Sequence, residues 1–107
     1  MEESLTVQHC PYNARMSEGM LDLVASRFRI LGEPYRLRIL QLLRRGEMSV
    51  AEIVDALDGT QPNVSRHLQL LSQSGIVVRR REGSKAFYSL KKAAALTLCE
   101  LVHKNLT

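Results

Sequence analysis

The apolar spacing of this chain predicts a mainly α-helical domain with one β-hairpin inserted before its last helix. Three observations carry that reading. Apolar residues recur at three- and four-residue intervals through four segments between Glu18 and Gln73, the period at which one face of a helix meets a core. The pattern then changes to two β-capable runs, residues 77–81 and 85–90, joined by Glu82-Gly83-Ser84; such a pair reads as a hairpin. Helical periodicity resumes from about Lys91 to Leu106.

The elements follow in order. The first helix opens at Glu18, aligns Met20, Leu21, Val24, Phe28 and Leu31, and is stopped by Gly32 and Pro34, residues that end helices. The second starts at Pro34, whose missing N–H costs nothing in a first turn. It carries Leu37, Ile39, Leu40 and Leu43 and stops at Gly46. Ser49 offers a hydroxyl cap to the third, in which Val50, Ile53, Val54 and Leu57 share one face. Asp58-Gly59 turns the chain into the fourth helix, where Thr60 caps, Pro62 fits the first turn, and Val64, Leu68 and Leu71 face the core. Gly75 ends it. Helix, short turn, helix and then a basic hairpin is the order of a winged helix-turn-helix. The expected division is an N-terminal arm at residues 1–17, aperiodic and containing Pro11, and one domain at residues 18–107.

Composition bounds the function. A chain of 107 residues fits one domain, and 45% hydrophobic with 24% charged residues is globular rather than disordered. The net charge of +4 favours a polyanionic partner. No apolar run approaches the roughly 18 residues of a membrane span, and no secretory leader is visible, so a cytoplasmic protein without a membrane partner is expected. There Cys10 and Cys99 are thiols, redox groups or ligands rather than a permanent disulfide. An enzyme is not expected: the chain shows no Gly-rich phosphate loop, no carboxylate pair in an obvious cleft and no nucleophile with a nearby base.

The outer face of the fourth helix carries Arg66, Gln69 and Gln73, flanked by Asn63 and Ser65. A surface helix ordinarily shows Lys and Glu there. Amides and hydroxyls instead hydrogen-bond base edges and phosphates. The expected partner is double-stranded DNA, with Gln61, Asn63, Ser65, Arg66 and Gln69 along the reading helix. His67, beside the Val64/Leu68 face, is placed as a phosphate contact or a structural group. Arg79, Arg80, Arg81 and Lys85 alternate across the hairpin, so only some face DNA; Arg81 and Lys85 flank the turn and are the expected wing contacts. The competing reading is a winged helix that docks protein, and a gel shift separates the two.

In the last helix Ala95, Cys99, Val102 and Leu106 line one face, and Leu96, Leu98 and Leu101 widen it beyond half the circumference. So apolar a helix needs cover nearly all round. In a chain this small a second copy supplies it, and a homodimer through the first and last helices is expected. Two-fold symmetry then sets two reading helices about one DNA turn apart on a roughly palindromic operator. Cys99 and His103 lie four residues apart on this helix, and His9-Cys10 form a second pair on the arm. Three readings stay open. The four residues hold a thiophilic metal or metalloid ion or Zn²⁺; Cys10 and Cys99 are joined by oxidation or a sulfur bridge; or Cys99 is only a small buried hydrophobe. The cofactor is therefore unknown.

Leu31-Gly32-Glu33-Pro34-Tyr35-Arg36-Leu37-Arg38-Ile39-Leu40, then Gln61-Pro62-Asn63-Val64-Ser65-Arg66-His67-Leu68, then Arg80-Arg81-Glu82-Gly83 and Tyr88-Ser89-Leu90 resemble, in that order, the ArsR/SmtB family. The resemblance spans about residues 18 to 106. It implies a small dimeric winged-helix repressor that a metal, metalloid or sulfur oxidant in many members releases from DNA. The family's sensor patterns are not met whole. Where many members carry Cys-Val-Cys in the third helix, this chain has Ser49-Val50-Ala51. The zinc pattern Asp-X-His at the start of the last helix is replaced by Lys91-Lys92-Ala93-Ala94. Cys99 resembles the second cysteine of the persulfide sensors, but Gln41 stands near the place of the first.

Overall fold

A computed structural model of the chain describes residues 15–91 and 94–107. Along them run helix α1 (Glu18–Leu31), helix α2 (Pro34–Leu43), strand β1 (Met48–Ser49), helix α3 (Val50–Leu57), helix α4 (Gln61–Gln73), strands β2 (Val77–Glu82) and β3 (Lys85–Leu90), and helix α5 (Ala94–Leu106). This is the expected winged helix-turn-helix, with α3 and α4 as its helix-turn-helix and the hairpin as its wing.

Side chains close the open N–H groups at each of the first four helix starts. The Ser17 hydroxyl accepts from the Met20 N–H at 3.1 Å, and the Glu33 carboxylate from the Arg36 N–H at 3.1 Å. Ser49 and Glu52 form a reciprocal capping box, at 3.1 and 2.8 Å. Thr60 accepts from the Asn63 N–H. At the far end of α4, Gly75 takes a left-handed φ of +76°. That lets the Ile76 N–H reach the Leu71 carbonyl at 2.9 Å and the Gly75 N–H the Ser72 carbonyl at 3.0 Å, a Schellman closure that points the chain into the wing.

The sheet has the order β1-β3-β2, all antiparallel. The hairpin pairs from Val77 with Leu90 to Glu82 with Lys85, around a two-residue turn in which Gly83 supplies a φ of +63°. Strand β1 was not expected. Its two residues are too short to show alternation, and Ser49 doubles as the α3 cap; Met48 and Ser49 pair with Tyr88 and Phe87. The last helix also differs from its expected start near Lys91. The Lys91 N–H is donated to the Ile76 carbonyl at 3.1 Å, which prolongs the hairpin ladder and keeps that residue out of the helix.

The core is small and lies behind α4. Ile39, Leu40 and Leu43 of α2, Ile53 of α3, and Val64, Leu68 and Leu71 of α4 meet under Val77 and Tyr88 of the hairpin. Helix α1 places no residue in it: Met20, Leu21, Leu23 and Phe28 are exposed, as are Leu101, Val102 and Leu106 of α5. The apolar stripes read from the sequence are therefore present on both helices, but their own chain leaves much of each uncovered. No helix among the described residues is long and apolar enough to cross a membrane.

The helix-turn-helix turn is tight against the core. A Cβ on Gly59 would overlap the Tyr35 hydroxyl and touch Val64. That hydroxyl is buried without a hydrogen-bond partner among the described residues. Gly59→Ala is expected to cost about 1–3 kcal/mol by overpacking, and Tyr35→Phe in the same chain to restore most of it, because it removes the blocking oxygen. Urea denaturation of the four proteins of this cycle checks the coupling; additive losses would show that the two positions do not collide.

Candidate nucleic-acid interface

Helix α4 turns Val64, His67, Leu68 and Leu71 inward, so the rest of its circumference is free to meet a partner. The polar residues on that arc divide into two groups. Gln61 Nε2 donates to Ser65 Oγ at 3.0 Å, and this pair continues through Gln69 along the side facing the wing. On the other shoulder Arg66 Nη2 donates to Asn63 Oδ1 at 2.6 Å. Each pair leaves further donors and acceptors toward solvent, as side chains that meet bases or phosphates require.

Between α4 and the wing lies a groove of about 780 Å³. Gln61, Ser65, Gln69, Ser72 and Gln73 form one wall; Arg79, Arg81, Ser84 and Lys85 form the other; the start of α3, at Ser49, Val50 and Ala51, contributes to its lining. Among the described residues no carboxylate lines it. Three cations facing amides and hydroxyls across a concave surface make a positive field with hydrogen-bonding groups inside it, which suits a polyanion. Strand alternation explains which arginines take part. Arg79 and Arg81 share the face that packs Tyr88 and Ala86 at the groove, whereas Arg80 points to the opposite face. There its guanidinium holds Glu47 through two bonds, at 2.9 and 2.8 Å, meets Glu82 at 3.3 Å, and lies 4.8 Å over the Phe87 ring. The hydrogen bonds from Arg80 hold the Glu47 carboxyl below its usual range.

Of the residues expected from sequence, Gln61, Ser65, Gln69, Arg81 and Lys85 come together in this groove, and Asn63 and Arg66 flank it on the exposed helix. Gln73, expected on the outer face of the helix, also lines the groove, whereas Arg79, Ser72 and the α3 start were not expected there. The period of two along the strand could have paired Arg79 with Arg81; the α3 start carries no such signal. Of the two roles expected for His67, a phosphate contact or a structural group, its position fits the structural one. It is 7% exposed, with Nδ1 3.0 Å from Arg36 Nη1 and its ring 5.1 Å from that of Tyr35. The ring is taken up by the core side of α4 because it sits at the edge of the apolar face. Burial first, then the Arg36 cation, lower its pKa from the ordinary imidazole value; Glu33 acts in the opposite sense. The fold thus favours the neutral ring, and its contribution to stability is present above the ordinary imidazole pKa and is lost as pH falls below it.

The candidate sensor residues are less assembled. Cys99 is half-buried and His103 exposed, one turn apart on α5. His9 and Cys10 lie outside the described residues. Among the described residues no three His, Cys, Asp or Glu side chains group as a metal site.

Comparison with known proteins agrees with this geometry. Residues 31–80 match a family model described as a helix-turn-helix domain. The chain is 41% identical over 76 residues to an HTH-type transcriptional regulator of Methanocaldococcus jannaschii, covering 70% of this chain and 85% of the relative. It is 35% identical over 103 residues to the biofilm growth-associated repressor of Agrobacterium fabrum, covering 96% and 86%. A probable mercury resistance operon repressor of Streptomyces lividans is 45% identical over 69 residues, but these span 64% of this chain and only 55% of that protein. Among solved structures, the homodimeric winged helix-turn-helix DNA-binding domain of Mycobacterium bovis, described as a possible ArsR-family regulator, superposes with a TM-score of 0.74 at 33% identity, covering 87% of this chain and 89% of that one. With the motifs, the fold and relatives matched over most of their length in agreement, this chain belongs to the ArsR/SmtB family of winged helix-turn-helix transcriptional regulators.

Proposed function

We propose that the chain is a sequence-specific repressor that binds a roughly palindromic operator as a homodimer, with residues 18–107 as one reading and dimerisation unit. The observation that carries this reading is the carboxylate-free groove between α4 and the wing. Arg79, Arg81 and Lys85 neutralise phosphates. Gln61, Ser65 and Gln69, with Asn63 and Arg66 on the outer shoulder, read base edges in the major groove. The uncovered apolar surfaces of α1 and α5 support the dimer, and the M. bovis neighbour is a homodimer.

Release by a chemical signal is part of the proposal. The S. lividans relative is described as a probable mercury resistance operon repressor, and this chain offers Cys99 and His103 on α5, at the proposed dimer surface, with His9 and Cys10 on the arm. A thiophilic metal or metalloid ion is the first candidate signal, and oxidation joining Cys10 to Cys99 the second. Selection of duplexes from a random pool by the wild-type protein tests the DNA reading: enrichment of a palindromic sequence with steep salt dependence is expected, and no enrichment would refute it. The same complex, exposed to Hg²⁺, arsenite, peroxide or polysulfide, tests the signal. Release that disappears in Cys10→Ser/Cys99→Ser supports thiol sensing, and release intact in that variant removes it.

A further inference from the structure

The core-facing side of α4 is held by one guanidinium. Arg36 Nε donates to the Ile30 carbonyl at 2.6 Å, in the last turn of α1, and Arg36 Nη1 lies 3.0 Å from His67 Nδ1, midway along α4. A guanidinium has donors only, so Nδ1 accepts and the remaining proton of the neutral ring sits on Nε2. The Ile30 carbonyl is among those a helix leaves open at its C-terminal end. Arg36 closes it and reaches the reading helix with the same planar group. Tyr35 packs on the His67 ring, Glu33 caps the start of α2, and Arg66 is the preceding residue on α4; with Arg36 these are the titratable and charged groups around the imidazole. Neither Arg36 nor His67 lines the groove.

We propose, resting on the DNA-binding reading above, that Arg36 is a positioning residue whose two hydrogen bonds tie the reading helix to the end of the dimerisation helix and so set the angle at which α4 meets DNA. The geometry fits that role because α1 touches the core only through the partly buried Ile30 and Leu31 of its last turn, and those contacts, like the packing of α4, are apolar and non-directional. Apolar contacts keep α4 in place; a planar, two-pronged donor fixes its rotation. The tie requires a neutral His67. A protonated ring cannot accept from Arg36 and sets a second cation against it, with Arg66 adding to the repulsion and Glu33 opposing it.

The test uses the full chain and the duplex that the wild type enriches from a random pool, at pH 7.5 and 5.5, with dimer dissociation measured in parallel. Arg36→Gln is expected to lose about tenfold in affinity for that duplex with its dimer dissociation constant unchanged. His67→Asn places an amide oxygen near the position of Nδ1 and does not titrate. It is expected to bind as the wild type does at pH 7.5 and to lose less affinity than the wild type on acidification. Wild-type affinity in Arg36→Gln, or a wild-type pH profile in His67→Asn, overturns the inference. If Arg36→Gln does not fold, the His67→Asn profile decides alone. Failure of the wild type to enrich any duplex removes the DNA-binding reading and this one with it, whereas enrichment with unaffected variants removes only the tie.

Discussion

Replacing Phe28 and Leu101 together by glutamate is expected to leave the chain folded but monomeric, with operator affinity lowered at least a hundredfold. Phe28 is 54% and Leu101 58% exposed in the single chain, so neither contributes much to the core and helical content should not change. Full burial of such side chains is worth about 1.5–3 kcal/mol each. About half of that surface is available to a partner, and two-fold symmetry counts each substitution twice, so the loss is on the order of 3–6 kcal/mol, or two to four decades in dimer dissociation, before the added carboxylates are considered. A monomer holds one half-site and forfeits the linkage between the two. Sedimentation at micromolar concentration and circular dichroism check the two halves of the expectation. A double variant that stays dimeric would move the interface away from α1 and α5.

The second large effect belongs to the wing. Arg79→Ala/Arg81→Ala removes four cations per dimer from the groove walls. If each neutralises one phosphate, the slope of log affinity against log salt becomes shallower by roughly 3 to 4, and affinity at physiological salt falls on the order of a hundredfold. Arg80→Ala removes half as many cations, two per dimer, from the adjacent position and is expected to leave the slope unchanged, because that guanidinium is engaged with Glu47 and Glu82 on the other face of the strand. Fluorescence anisotropy across a salt series distinguishes the three. Equal effects from Arg80 and from its neighbours would mean that overall charge, not groove geometry, drives binding.

Much of α4 was legible before any coordinates, and the reason is local. Thr60, Pro62 and the Val64/Leu68/Leu71 spacing all act within one helix, so cap, start and buried face follow from chain-neighbour physics. His67 was not legible in the same way. Its place beside the apolar face showed, but its partner Arg36 is 31 residues away in the chain, and only the packing of α2 behind α4 brings them together. The wing lies between these cases. Alternation separates Arg79 and Arg81 from Arg80, yet which pair faces α4 depends on Tyr88 entering the core from β3. For α1 and α5 the stripes were visible, but their cover is not encoded within one copy of the chain.

Strand β1 has two residues, yet it links the mechanics of the whole head. Ser49 pairs with Phe87 of the wing and at the same time caps α3. The wing is thereby hinged to nothing: its inner strand is clamped between β1 and β2, and α3, which carries that clamp, packs on α4. The gap between reading helix and wing is thus braced through β1 and α3. If the proposed signal acts at α5, it meets a head braced in this way, and the separation and tilt of the two heads are what it would alter; loss of the operator would then come as a mismatch of pitch between protein and DNA rather than as a collapse of the reading surface.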